Sequence, residues 1–326
     1  MRPRFFRAAT LIMCAVGAQA ALLQPLAAEA VPDPKLTGPI PQNTALGDAS
    51  HDYTFLTPAE DLSDYGYVQE EFFQEGTANS YTTTTDPPGQ TGTVASSGHP
   101  YKTRIVVRRP TSARRFNGTV LLEWQNVTAG YDIDAHWGPS WKHFVDQGYA
   151  WVGVSAQRVG LHGASAAPNA PADAPPPVNN GLIAWSPKRY GSLDVTEGGK
   201  VTDDSLCYDI FSQAAQAVRN PKDVKLLGSL KPERIIAVGA SQSAGRLSIY
   251  HNAIHPLHNA VDAYYLLVGG SGLRTDLTVK VFQYLSETDV RGVRLAACRT
   301  PITSAAGKSL APHTPAITAT CTARRS

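Results

Sequence analysis

The sequence predicts an α/β fold with a mostly parallel sheet covered by helices on both faces. Three short apolar runs, Thr119 to Trp124 (TVLLEW), Ala150 to Ser155 (AWVGVS) and Arg234 to Val238 (RIIAV), show no alternation, as expected of strands buried on both faces. Segments of helical pattern separate them, which is the order that builds a parallel sheet. The chain has 326 residues, 42 % of them hydrophobic and 17 % charged, enough for one large core and too apolar for a disordered chain.

The elements follow in order. A Pro-rich lead-in (Val31 to Pro41) precedes Tyr67 to Phe73, rich in aromatic and β-branched residues and read as a strand. Tyr101 to Arg108 (YKTRIVVR) alternates as a strand does, and Asn117-Gly118 turns the chain into TVLLEW. Trp137 to Gln147 is a helix with Gly148 as its stop signal. Residues 164–180 form an Ala/Pro/Asn-rich surface loop. Asp204 to Arg219 is a helix, with Leu206, Ile210, Ala214 and Val218 at four-residue spacing and an aspartate as N-cap. The strand RIIAV is followed by a helix over Gln242 to Ile254, then by strands over Val261 to Val268 and Val279 to Leu285.

The N-terminus reads as an export signal. Basic MRPRFFR precedes an apolar stretch, Ala8 to Ala18, too short to span a bilayer, and Ala28-Glu29-Ala30 offers a small-x-small cleavage site. Residues 1–30 are therefore expected to be removed, leaving a secreted or periplasmic protein with no stable membrane insertion. Residues 31–290 carry a net charge of −6, against +6 in residues 291–326, so the body has no electrostatic footprint for nucleic acid. Cys207 is the one cysteine of the body, and neither a disulfide framework nor a metal site is expected; no cofactor is called for.

One motif has chemical content. GASQSAG, residues 239–245, follows a strand and opens a helix, the setting that a nucleophile elbow requires. A serine on a sharp strand-to-helix turn needs small neighbours two residues to either side, and Gly239 and Ser243 supply them around Ser241. The register that makes Ser243 the nucleophile would extend the apolar strand through polar Ser241, so Ser241 is preferred. The Gln242 backbone N–H then points to the oxyanion position, and the loop after TVLLEW offers the N–H of Asn126 or Val127 as second donor. A triad also needs an acid and a base. The second strand after the elbow strand runs into Ser286-Glu287-Thr288-Asp289, making Asp289 the acid and Glu287 its alternative. His136 and His143 precede the elbow, whereas His251, His255 and His258 follow it too closely to fold back over the serine. His313 is the one histidine beyond the acid.

The stretches FNGTVLLEWQNV, YAWVGVSAQRVG, RYGSL, YDIFSQAAQAVR, LKPERIIAVGASQSAGRL and YLSETDV together resemble the α/β-hydrolase domain family of large, often secreted, serine esterases. The resemblance covers about residues 35–290. It implies an α/β-hydrolase fold, Ser241 as nucleophile, an acid in the Glu287/Asp289 pair, and a small-molecule or lipid ester as substrate. The family's base lies in a later segment of the type WEVAGTSHA, absent here, so the last strand and its catalytic turn are expected to be missing.

Residues 291–326 have no acidic residue and no Phe, Trp or Tyr, and read as a basic, disordered tail. Cys298 to Pro315 can be encoded so that a shifted reading frame yields PDADHFRRWEVAGTSHA, the missing family segment; a frameshift is the expectation. Two function classes follow: a secreted serine hydrolase acting on carboxylic esters through an acyl-enzyme, and a hydrolase-fold protein impaired or inactive for want of its base. Pro312 and Pro315 bracket His313, so a working base there is not expected.

Overall fold

The computed structural model describes residues 30–83, 90–164, 180–287, 289 and 317–321. One sheet organises them, with strand order β1-β2-β3-β5-β4-β6-β7-β8-β9. Its centre is parallel: β4 (Thr119–Trp124), β5 (Ala150–Val154), β6 (Arg234–Ala240), β7 (Ala263–Leu267) and β8 (Lys280–Leu285). Antiparallel strands flank that centre. On one side lie β1 (Lys35–Thr37), β2 (Tyr67–Thr82) and β3 (Thr93–Pro110), with β3 paired to β5. All six residues of TVLLEW and all five of AWVGV are buried, as their unbroken apolar character requires.

The hairpin β2–β3 is much longer than expected. TANSYT and TVASSGHP have few apolar residues, yet they pair with each other, past register shifts between Ala78 and Tyr81, and Ala78 and Tyr81 join the core. At the opposite edge β9 (Ile317–Cys321) pairs antiparallel with β8, Leu285 opposite Ile317. Within the tail expected to be disordered, residues 317–321 thus form a marginal strand, which is antiparallel and not the parallel last strand expected to be missing. ITATC is rich in β-branched residues, and β8 would otherwise leave its backbone groups unpaired. The strand supplied is antiparallel, so it does not continue the parallel order. The expected signal segment and the rest of the tail lie outside the described residues.

Two cores sandwich the sheet. On one face α5 (Cys207–Arg219), α6 (Gln242–Ile249), a π-helical turn (Tyr250–Ile254) and α7 (His255–His258) pack on Phe72, Ile105, Val120, Leu122, Ile235, Ala237, Tyr264 and Leu266. On the other face α1 (Trp137–Gln147) packs on Val106, Leu121, Trp151 and Val238, and three short helices, α2 (Arg158–His162), α3 (Leu182–Trp185) and α4 (Pro187–Tyr190), lie in the chain between β5 and α5. That second cover reaches β6 but not β8, where Phe282 is 40 % exposed.

Charged residues within β3 point inward. Arg104 and Arg108 alternate with Ile105 and Val107, and both guanidinium groups are buried on the α1 side. Arg108 lies between the rings of Trp137 and Trp151, 4.8 and 4.5 Å from their centroids, and pairs with Asp134. Arg104 donates to Asp132, Gln125 and Ser155, each at 3.2 Å, and to the Phe55 carbonyl at 3.2 Å, with Glu71 at 3.7 Å. These carboxylates compensate charges that could not otherwise leave water.

Arg104→Leu leaves Asp132 buried without its cation, while Glu71 keeps Arg189, and is expected to destabilise the protein by about 3–5 kcal/mol in urea unfolding. A second expectation concerns pH. Burial, with neighbouring His251, pushes His255 from 6.5 down to about 4. The unfolded chain therefore takes the proton first, and stability falls as pH drops from about 6.5 toward 4. His255→Gln should lose less stability than the parent over that interval, as read from denaturation midpoints.

Candidate active site

The loops after β4 and β6 emerge side by side at the carboxyl edge of the sheet, where the chain reverses its direction of strand addition. Open α/β sheets bind ligands at such a crevice. Ser241 sits there, between the end of β6 and the start of α6, at φ 53° and ψ −115°, and its side chain is exposed. A non-glycine residue in that conformation is held there by its surroundings. Its N–H donates to the Leu267 carbonyl at 2.8 Å, and its carbonyl accepts from the Gly245 N–H at 3.1 Å. A Cβ at Gly239 would stand 2.9 Å from the Ser243 carbonyl oxygen, so the turn is tight enough to need glycine there.

Ser243 occupies a different environment. It is buried; its hydroxyl accepts from the Ala240 N–H and donates to the Ala240 carbonyl, both at 2.9 Å. It ties the end of the strand to the helix.

The two oxyanion candidates after β4 divide clearly. The Asn126 N–H donates to Ile133 at 3.0 Å, within a reciprocal bridge that closes residues 126–133 into a loop. That corrects the expectation for Asn126 as a backbone donor. Its side-chain amide instead donates to the Ala240 carbonyl at 2.8 Å, fastening this loop to the residue before Ser241. The Val127 N–H donates only a long bond, 3.5 Å, to the Gln242 side-chain Oε1, which a bound oxyanion would have to replace. As first residue of α6, Gln242 has an N–H that precedes any intrahelical acceptor.

Asp289 lies just past β8, two strands from β6 at the same sheet edge, a lateral separation of about 10 Å at usual strand spacing. Its Oδ2 accepts from the Ser286 N–H at 2.8 Å and hydroxyl at 2.7 Å, while its own N–H donates to that hydroxyl at 3.3 Å. This is a capping box, a structural use of the carboxylate that the sequence reading did not weigh. Glu287 is exposed. His313 lies outside the described residues.

Among the described residues no side chain hydrogen-bonds the Ser241 hydroxyl, and the histidines are placed elsewhere. His136 is buried against Glu123, which accepts from its N–H at 2.9 Å and from the Trp151 indole at 2.6 Å. His258 lies 2.7 Å from the Ser212 hydroxyl and 3.7 Å from Asp209, a serine–histidine–aspartate grouping in outline. Ser212 is fully buried and also donates to the Tyr208 carbonyl at 3.0 Å, so that grouping belongs to the core. Burial pushes the Cys207 thiol well above its ordinary range, which leaves it an inert packing residue.

Two features around Ser241 escaped the sequence reading. The Gln242 side chain donates to Gln157 Oε1 at 3.0 Å, which also accepts from the Trp124 indole at 3.0 Å. Gln157 in turn donates to Asp204 at 2.9 Å, and Arg246 holds the same carboxylate at 2.8 Å. The second feature is Gly269, φ 133°, where a Cβ would stand 2.9 Å from the Ser241 carbonyl oxygen. Gly269-Gly270 directly after an apolar strand was the signal available for it.

Among the described residues no group of three or more His, Cys, Asp or Glu side chains could hold a metal ion, and no helix is long and apolar enough to cross a membrane. Two clefts, of about 290 Å³ beside Asp33 and Lys222 and about 510 Å³ over β2 near Glu60 and Tyr67, lie away from Ser241.

The family model described as alpha/beta hydrolase domain matches residues 36–305. No curated protein sequence matches the chain. Solved structures that align with it include acetyl xylan esterase 1 from Thermoanaerobacterium sp., at 11 % identity over 65 % of this chain and 51 % of that one, TM-score 0.31. A glucuronoyl esterase from Teredinibacter turnerae aligns at 12 % identity over 66 % of this chain and 44 % of its own, TM-score 0.31. A study of two prolyl endopeptidases supplies another, at 15 % identity over 63 % of this chain and 22 % of that one, TM-score 0.29. The chain thus spans about half or less of these structures, and likenesses at such scores carry no argument about activity.

Gly269→Ala should force the Ser241 backbone to move. The expected outcome is a loss of about 1–3 kcal/mol of stability, read in urea unfolding, together with slower labelling of Ser241 by a fluorophosphonate. Parent-like values in both measurements would show that the close approach is not needed.

Proposed function

The chain belongs to the alpha/beta hydrolase domain family, and from that premise we propose that it is a secreted serine hydrolase of carboxylic esters, with Ser241 as nucleophile. The observation that carries this reading is the exposed Ser241 in a positive-φ turn at the N-terminus of α6, beside the Val127 N–H. In the proposed reaction the Ser241 hydroxyl attacks the ester carbonyl carbon while a base removes its proton. The oxygen that becomes negative is met by the N–H groups of Gln242 and Val127, in a turn where the helix terminus also favours negative charge. The tetrahedral intermediate expels the alcohol, which takes the proton back from the base. Water then attacks the acyl-enzyme by the same steps and regenerates Ser241.

Asp289 is the proposed orienting acid. It lies at the right sheet edge, and one of its carboxylate oxygens would remain to receive a histidine N–H while the other keeps the capping box. Glu287 is the alternative. His313 is the one histidine of this sequence beyond the acid, and with Pro312 and Pro315 on either side of it a working base there is not expected. A signal segment ending at Ala30 gives the export.

A second reading is favoured by one observation: among the described residues the Ser241 hydroxyl has no histidine beside it. On that reading the chain is a hydrolase-fold protein whose base was lost to a frameshift. Without a base the serine stays protonated, and only the residual catalysis of oxyanion donors and binding is left, ~10³–10⁴-fold over water.

Fluorophosphonate labelling separates the readings when paired with turnover of a p-nitrophenyl ester. Ser241→Ala should abolish labelling, whereas Ser243→Ala should retain it; the reverse pattern overturns the assignment. A chain carrying the restored frame should turn over the ester at least ~10³-fold faster than the chain as given. Equal rates, with activity abolished by His313→Ala, would instead make His313 the working base. Secreted material should begin at Val31 on N-terminal sequencing.

A further inference from the structure

Five aromatic side chains gather at the carboxyl edge of the sheet without being fully buried: His51, Tyr53, Phe55, Tyr131 and Trp185. His51 stacks on Trp185 with centroids 4.5 Å apart and planes within 1°. Tyr53 and Phe55 meet the same indole edge to face at 5.2 and 5.0 Å, and Tyr131 meets Phe55 at 5.9 Å. The alternation along residues 51–55 explains why they stand still. Asp52 and Thr54 point inward and are buried, within 3.4 and 3.5 Å of the Arg189 guanidinium, so the intervening aromatic rings face out. Phe55 is pinned through its backbone as well, its N–H donating to the Tyr190 hydroxyl and its carbonyl accepting from Arg104.

One loop links this cluster to the candidate active site. Tyr131 belongs to the loop closed by Asn126 and Ile133, whose Asn126 side chain holds the Ala240 carbonyl next to Ser241. The charges beneath it are matched: Arg104 with Asp132 and Glu71, Arg189 with Glu71 and Asp52, and Lys188 with Asp52. A partly buried aromatic cluster over paired charges offers ring edges to a ligand without an uncompensated cation that would favour an acidic one.

We propose that His51, Tyr53, Phe55, Tyr131 and Trp185 form a subsite that receives an uncharged aryl group of the ester substrate. The substrate class is then an ester bearing an aromatic ring. This inference rests on the ester-hydrolase reading for the position of the carbonyl, but the subsite can be tested by binding alone.

The test uses Ser241→Ala, which holds the ester without turning it over, and two esters of the same alcohol: ethyl 3-phenylpropanoate and ethyl hexanoate. Binding is followed by ligand-observed NMR. Trp185→Leu in that background should weaken the phenylpropanoate about fivefold or more and leave the hexanoate unchanged, and Tyr53→Leu should act in the same direction. Near-UV circular dichroism verifies that each variant remains folded, and Tyr53→Leu serves if Trp185→Leu does not. Equal weakening of both esters, or no binding of the aryl ester, overturns the subsite. Fluorophosphonate labelling of the parent distinguishes the two failures. Labelled Ser241 without aryl preference sinks the subsite alone, whereas aryl-selective binding with an unlabelled Ser241 sinks the hydrolase reading and leaves the subsite standing.

Discussion

The burial of two arginines in one strand governs this architecture. Arg104 and Arg108 stand on the same face of β3, and neither could be buried without carboxylates brought to it. Those carboxylates, Asp132 and Asp134, lie on the segment that leaves β4 and leads into α1. Satisfying the arginines therefore fixes that segment against the sheet, and with it the loop bearing the Val127 N–H. Burial raises the Asp132 carboxyl above its ordinary range even beside Arg104, a measure of how far water has been excluded. The same guanidinium holds the Phe55 carbonyl, so the segment over β2 answers to the same constraint.

Ser241 depends on a second set of restraints that converge on its turn. Its φ of 53° is unfavourable for serine by itself. Leu267 accepts its N–H, Gly269 presses on its carbonyl, Ser243 closes the strand end, and Asn126 holds the preceding carbonyl. The chain from Gln242 through Gln157 to Asp204 and Arg246 then sets the first turn of α6 against β5 and the entry to α5. Each contact comes from a different part of the chain, so the geometry at one residue is over-determined by the fold as a whole.

Much of this was legible locally. TVLLEW, AWVGV and RIIAV are apolar throughout because both of their faces are buried, and such strands announce themselves by composition. Gly239 and the short side chains around Ser241 mark a tight turn in the same way. Arg104 and Arg108 were not legible, because in YKTRIVVR a charged letter reads as a solvated face. Their partners are more than twenty residues away, and no local pattern announces them. Asn126 was misjudged for a related reason: NVTAGYDID gives no sign that Asn126 and Ile133 pair across it. The extra length of β2 and β3, and the existence of β9, depend on pairing partners rather than on the character of the strands themselves.

The two ends of the sheet are protected unequally. β1 is three residues long, carries Lys35 and is bracketed by Pro34 and Pro39, features that discourage another strand from joining it. β9 ends the other side with Ile-Thr-Ala-Thr-Cys, which has neither charge nor proline. Among the described residues no strand pairs with its outer side, so its backbone donors and acceptors there are a template for strand addition, and proline and charge occur in the sequence only beyond its ends, at Pro315 and Arg324. Among the described residues this margin, and not the surroundings of Ser241, is where the sheet could be lengthened by a further strand.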